Sequence, residues 1–168
     1  MKKTFVILTL TAAAFILSAA PVKLTWDLNT WSGYTPLVKM TKSPDGTYSF
    51  SKPEAKYGFG LKSFQRIPAK AGDTVKFTVL AKGKGKIFLQ LQNYDAKGRW
   101  LSVQSISATA PIPADWKVIT MTAKVFDIKG KAPTGQIAIS TGAEKGNSLQ
   151  IKNAEAEIIP AASEKKVK

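Results

Sequence analysis

The chain has 168 residues, with 25 Lys and Arg against 11 Asp and Glu, no His and no Cys. A net charge of +14 without a single imidazole or thiol excludes a disulfide framework, a lipoprotein attachment site, a cysteine nucleophile, a histidine base and the usual zinc sites. Of the basic residues 23 are Lys and only two, Arg66 and Arg99, are Arg, so the chain is not built like a nucleic-acid reader that forks Arg onto base edges.

In chain order, Met1, Lys2 and Lys3 form a basic start, Thr4 to Leu17 is apolar, and Ser18, Ala19 and Ala20 are small. These are the parts of a secretory signal peptide over residues 1–20, and the apolar run is short for a bilayer span. The expected location is therefore secreted or periplasmic, with no membrane span once the signal is removed. A disulfide-free exported domain fits a bacterial envelope or secreted protein. Removing Lys2 and Lys3 lowers the charge by two to +12, so the exported part is strongly basic by itself and attracts anionic glycans or an anionic envelope at long range.

Residues 21–159 are long enough for one domain with a real core. Short runs of Val, Ile, Phe, Thr and Tyr recur about every ten residues between turn clusters, and no stretch has helical periodicity. Strands are expected near 22–28, 36–41, 47–52, 58–66, 73–81, 86–94, 99–106, 116–125, 135–141 and 148–158. Ten such strands make an all-β, two-sheet antiparallel β-sandwich. Val75, Phe77 and Val79 alternate with Lys76 and Thr78 and belong to the core. Trp26 is in phase with Val22, Leu24 and Leu28, and Tyr48 with Phe50; all are expected inside. In the last strand Leu149 and Ile151 are odd while Ala154, Ala156 and Ile158 are even, which predicts a bulge near Asn153. Residues 160–168 read as a loose basic tail.

The most informative stretch surrounds the turn Asp95-Ala96-Lys97-Gly98. Alternation puts Ile87, Leu89 and Leu91 on the core face before the turn, and Leu101 and Val103 on it afterwards. The opposite face then carries Phe88, Gln90, Gln92 and Tyr94, followed by Trp100, Ser102 and Gln104. No charge falls on that face, although a solvated face of this chain would collect Lys. Rings offer apolar area and a π-face, and amides offer donor and acceptor together, the combination that sugar rings and their hydroxyls require. Two readings stay open: a second small core under a loop, or a sugar-binding platform of Phe88, Gln90, Gln92, Tyr94, Trp100 and Gln104. The missing lysines favour the platform. Trp31 and Tyr34, in a polar loop-like stretch, are candidate rim contacts. Tyr57 and Phe59 flank Gly58 as further aromatics, and Trp116 is assigned a structural place.

The order of Gly72-Asp73-Thr74-Val75-Lys76-Phe77, Asn93-Tyr94-Asp95 with Gly98, Ala114-Asp115-Trp116-Lys117 and Leu149-Gln150-Ile151-Lys152-Asn153-Ala154 resembles the CenC-type carbohydrate-binding modules (families 4, 9 and 22) of the galactose-binding-like superfamily. The resemblance covers nearly all of residues 22 to 159. It implies a jelly roll that binds a glycan on a concave sheet face or in rim loops. It also implies a structural calcium between the first strand region, where Asp27 stands, and a late acidic position that is here Asn153. A hard cation wants several carboxylates, so the expectation is no cofactor.

A two-carboxylate glycosidase or a lyase using Lys, Tyr or Arg are the catalytic alternatives. Most acids, however, sit in turns (Asp45, Asp73, Asp95, Asp115) or near the end (Glu155, Glu157, Glu164), where capping and solubility account for them. The sequence therefore points to a non-catalytic polysaccharide-binding domain, with an acidic or plant/algal-type glycan as its partner. The alternative is an envelope structural or adhesion protein that meets a protein partner or the cell surface.

Overall fold

The stretch expected to form one strand near 22–28 is two short strands that serve different sheets. In the computed structural model, which describes residues 20–27, 39–51, 59–95, 97–125, 136–143 and 148–161, β1 (Val22–Lys23) pairs with the last strand and β2 (Trp26–Asp27) pairs with β5 (Phe59–Ser63). Leu24 N donates to Ala154 O at 2.8 Å in one sheet, and Phe64 N to Thr25 O at 2.9 Å in the other. The chain thus changes sheets at Leu24-Thr25, a corner that simple alternation does not reveal. Residues 1–19 of the expected signal peptide, Leu28, Trp31, Tyr34 and Tyr57 lie outside the described residues, as do the residues beyond Ala161.

The remaining strands are β3 (Lys39–Lys42), β4 (Tyr48–Ser51), β6 (Thr74–Lys84), β7 (Lys86–Tyr94), β8 (Trp100–Pro111), β9 (Lys117–Lys124), β10 (Gln136–Ala143) and β11 (Ser148–Ile159). A six-stranded sheet runs β3-β4-β11-β6-β9 with β1 also on β11, and a five-stranded sheet runs β2-β5-β10-β7-β8. Every pairing is antiparallel. The two-sheet antiparallel β-sandwich expected from the strand pattern is the fold of the chain. Among the described residues no helix is long and apolar enough to cross a membrane.

The core lies between the sheets. The six-stranded sheet contributes Val75, Phe77, Val79, Leu149 and Ile151, and the five-stranded sheet contributes Trp26, Leu61, Ile87, Leu89 and Leu91, all buried. Trp26 meets Phe77 edge to face across the layer, with centroids 6.3 Å apart. The phase change in β11 is a bulge between Lys152 and Glu155, with Asn153 at φ 52. The extra residue returns Ala154, Ala156 and Ile158 to the buried side.

β6 runs three residues past its expected end, because its last residues complete the ladder with β11: Gly83 pairs with Leu149 and Lys84 with Ser148. Only Gly85 separates it from β7 in the other sheet. Gly83 sits at φ 148, and a Cβ there would lie 2.1 Å from Ser148 O, so only glycine fits this corner. Gly83 N donates to Pro113 O and Ile112 N to Gly85 O, which ties the corner to the β8–β9 connection.

Candidate functional site

β7 has the alternation the sequence predicts. Ile87, Leu89 and Leu91 are fully buried between the sheets, while Phe88 and Gln90 are half-buried on the outer side. Asn93 also points inward, 1% exposed, and neither of its side-chain polar atoms has a hydrogen-bond partner. An orphaned buried polar group costs about 1–3 kcal/mol. Toward the turn the outer side closes over, and Gln92 and Tyr94 are nearly buried. Trp100, opposite Tyr94 on β8, is 51% exposed.

A hydrogen-bond relay joins these groups. Trp100 Nε1 donates to Gln92 Oε1 at 3.0 Å, and Gln92 Nε2 donates to Gln90 Oε1 at 3.5 Å. An indole N–H can only donate, so Gln92 must present its oxygen to Trp100 and its NH₂ to Gln90. One ring nitrogen thereby sets the orientation of two amides. The indole is held by its edge and leaves half its surface open.

The sequence pattern is incomplete on β8. Asn93 pairs with Ser102 but Tyr94 pairs with Trp100, so Leu101 is an extra residue. After this bulge Val103, not Gln104, stands opposite Gln92, and Gln104 stands opposite Leu91. A bulge reverses parity, so the register does not keep Gln104 in step with Trp100. For Gln104 only this backbone pairing is described.

The face is also not free of charge. The Arg66 guanidinium lies over the Tyr94 ring, 3.8 Å from its centroid, and its Nη1 donates to Gly98 O at 3.0 Å. Tyr94 therefore presents a ring already covered by a cation, and of the three rings placed on the platform only Trp100 is openly exposed. The turn itself is pinned. Asp95 N donates to Arg99 O and Gly98 N to Asp95 O, both at 2.9 Å, with Gly98 in the left-handed region at φ 75. Arg99 returns its backbone N–H and its Nε to the two Asp95 carboxylate oxygens at 2.8 and 2.7 Å. These bonds, the Arg99 N–H first, hold the Asp95 carboxyl below its ordinary value. Sequence reasoning missed Arg66 and Arg99 as site residues. The signal was present in their rarity: both arginines of a Lys-dominated chain meet at this one hairpin. Phe64, 61% exposed just after β5, was also missed.

Two of the other acids expected in turns have structural partners. Asp73 accepts from Lys70 N and Ala161 N, fastening the end of β11, and Asp45 accepts from the Thr47 N–H and hydroxyl. The described residues bring no carboxylate set to the implied calcium. Asn153 is an exposed neutral amide at the bulge of one sheet, Asp27 is on an edge strand of the other, and no group of three His, Cys, Asp or Glu side chains that could hold a metal ion occurs among the described residues. Trp116, read as structural, is half-buried with the Lys82 and Lys152 ammoniums 5.1 and 4.7 Å from its ring centroid.

No family model matches the sequence, and a comparison with curated proteins finds no match either. Solved structures do share the architecture. The enzymatically active domain of bacteriophage CBA120 tailspike protein 4 is similar at TM-score 0.50 and 15% identity over 73% of this chain, which spans 18% of that chain's length. A variant of the carbohydrate-binding module CBM29-2 has TM-score 0.48 and 15% identity, with 82% of this chain and 91% of that one covered. The module BiXyn10A CBM1 has TM-score 0.46 and 15% identity, covering 84% and 92%. At 15% identity the likeness to the tailspike domain is one of fold alone.

Proposed function

We propose that this chain is a non-catalytic carbohydrate-binding domain that holds a polysaccharide on the outer face of its five-stranded sheet, with Trp100 as the stacking residue. The observation that carries this reading is the edge-held, half-exposed indole at the head of the Trp100–Gln92–Gln90 relay. A ring fixed before binding loses little further freedom when a sugar stacks on it, and oriented amides select hydroxyl geometry. Folds of this kind host many activities, so the reading rests on the site. The absence of His and Cys and the structural use of Asp45, Asp73 and Asp95 support binding without catalysis. The domain acts after export, in the periplasm or outside the cell. Its lysines draw in acidic glycans over a range that salt shortens.

Affinity electrophoresis through gels containing neutral and acidic polysaccharides tests this. Wild type is retarded by at least one of them. Trp100→Ala loses that retardation, with affinity reduced about tenfold or more, while its melting temperature stays close to wild type. Equal retardation of a folded Trp100→Ala protein refutes the platform. No retardation of wild type on any glycan favours the protein-docking alternative.

A further inference from the structure

We infer that the glycan carries carboxylates and that Arg66 and Arg99 recognise them at the hairpin end of the platform. This rests on the polysaccharide reading above and names the substrate class and the residues that select it.

The chain spends 23 of its 25 basic positions on Lys. Lys gives a diffuse cationic surface with compact, hydrated point charges, whereas Arg gives a planar fork that matches a carboxylate through two parallel bonds. Both arginines converge on one hairpin from distant parts of the sequence, Arg66 from just beyond β5 and Arg99 from the start of β8. Arg66 is held by its place over the Tyr94 ring, 3.8 Å from the centroid, and by its bond to Gly98 O. A Cβ at Gly98 would lie 3.0 Å from Arg66 Nη1, so a larger residue there would push the guanidinium aside by a few tenths of an ångström. Held between that ring and that carbonyl, the exposed guanidinium keeps its remaining N–H groups for a ligand. Arg99 gives Nε to Asp95 and keeps its terminal nitrogens in solvent, its side chain 75% exposed. Asp95 answers one of these two cations and orders it without neutralising the pair. Trp100 stands opposite Tyr94, the ring that carries Arg66, so a sugar stacked on the indole brings its carboxylate into reach of the hairpin.

Lysine steering and arginine recognition predict different data. Steering scales with total charge and fades with salt. A pre-oriented fork distinguishes a carboxylate from its methyl ester at any salt.

The test is isothermal titration of the full chain with oligogalacturonate and with its methyl-esterified form, at low and high salt. Wild type prefers the acid form by about tenfold or more at both salts. Arg66→Gln lowers affinity for the acid form more than for the ester and so removes that preference. Arg66→Lys, which keeps the charge, does not restore it. Arg99→Gln, which leaves the Tyr94 stack in place, reduces it. A preference that vanishes at high salt, or that survives in both Gln variants, overturns the inference while polysaccharide binding stands. Preference for the ester, or affinity for it that falls equally in Arg66→Gln, overturns it too. Binding of neither form overturns this inference, and the polysaccharide reading falls with it only if the neutral glycans of the electrophoresis also fail.

Discussion

On the outer face of the six-stranded sheet, Lys76 reaches Glu157 at 3.4 Å, Lys152 reaches Asp45 at 3.7 Å, and Thr78 meets Thr120 hydroxyl to hydroxyl. On the outer face of the five-stranded sheet, an indole directs two glutamines and a guanidinium lies on a tyrosine. The first face is solvated, with exposed ion pairs worth about 0–1 kcal/mol each. The second is a connected polar-aromatic surface in which each group fixes the next. The two tryptophans show the contrast most plainly. Trp116 has two lysine ammoniums over its ring, whereas Trp100 is held at its edge with half its surface free. An aromatic outside the core is therefore no site by itself; what occupies its face decides.

The largest expected effect abolishes both faces at once. Gly83→Ala sets a Cβ against the Ser148 carbonyl at the corner joining the sheets, and a loss of about 3 kcal/mol or more in chemical denaturation is expected. A near-neutral result would mean that the corner relaxes and does not hold the two faces in fixed relation.

Next in size is a matched pair of substitutions. Gln92→Leu removes the acceptor of Trp100 Nε1 and is expected to weaken glycan binding about fivefold to tenfold, the loss of one well-placed hydrogen bond. Val118→Ala, at an equally outward and 66% exposed position on the other sheet, leaves binding unchanged. Reversed outcomes in a titration with a neutral oligosaccharide would place the ligand on the six-stranded sheet.

The smallest effect concerns pH. Asp45 is held below its ordinary value by bonds from Thr47, and Asp95 by bonds from Arg99. A depressed folded-state value means that each contribution is complete above the ordinary aspartate range and is lost as pH falls through the lowered value. Asp45 is open to solvent and Asp95 is half-buried beside an exposed Arg99, so screening keeps the stability change slight. Binding separates the two faces: in this acid window affinity for an uncharged oligosaccharide declines in wild type and in Asp45→Asn. It is flat in Asp95→Asn, read by titration at successive pH values.

The alternation of β7 was legible because three aliphatic residues share one parity and four aromatic or amide residues share the other. The Asn153 bulge was legible for the same reason, a change of apolar phase within one strand. Gln104 shows where this reasoning stops. Leu101 is a good strand residue in its own right, and nothing in its identity says that the partner strand skips it. The corner at Leu24-Thr25 was hidden likewise, since Leu24 and Trp26 keep one apolar phase while their neighbours belong to different sheets. Arg66 and Tyr94 are 28 positions apart, beyond any local pattern.

By itself the sequence determined the class of fold, the core face of β6, β7 and β11 and which side of β7 is polar, because a strand's side chains alternate whatever it pairs with. Tertiary structure alone decided the register of β8, the cover over Tyr94, the freedom of Trp100 and the meeting of the two arginines. Those depend on which backbone lies alongside and where an extra residue falls, and local side-chain chemistry does not encode either.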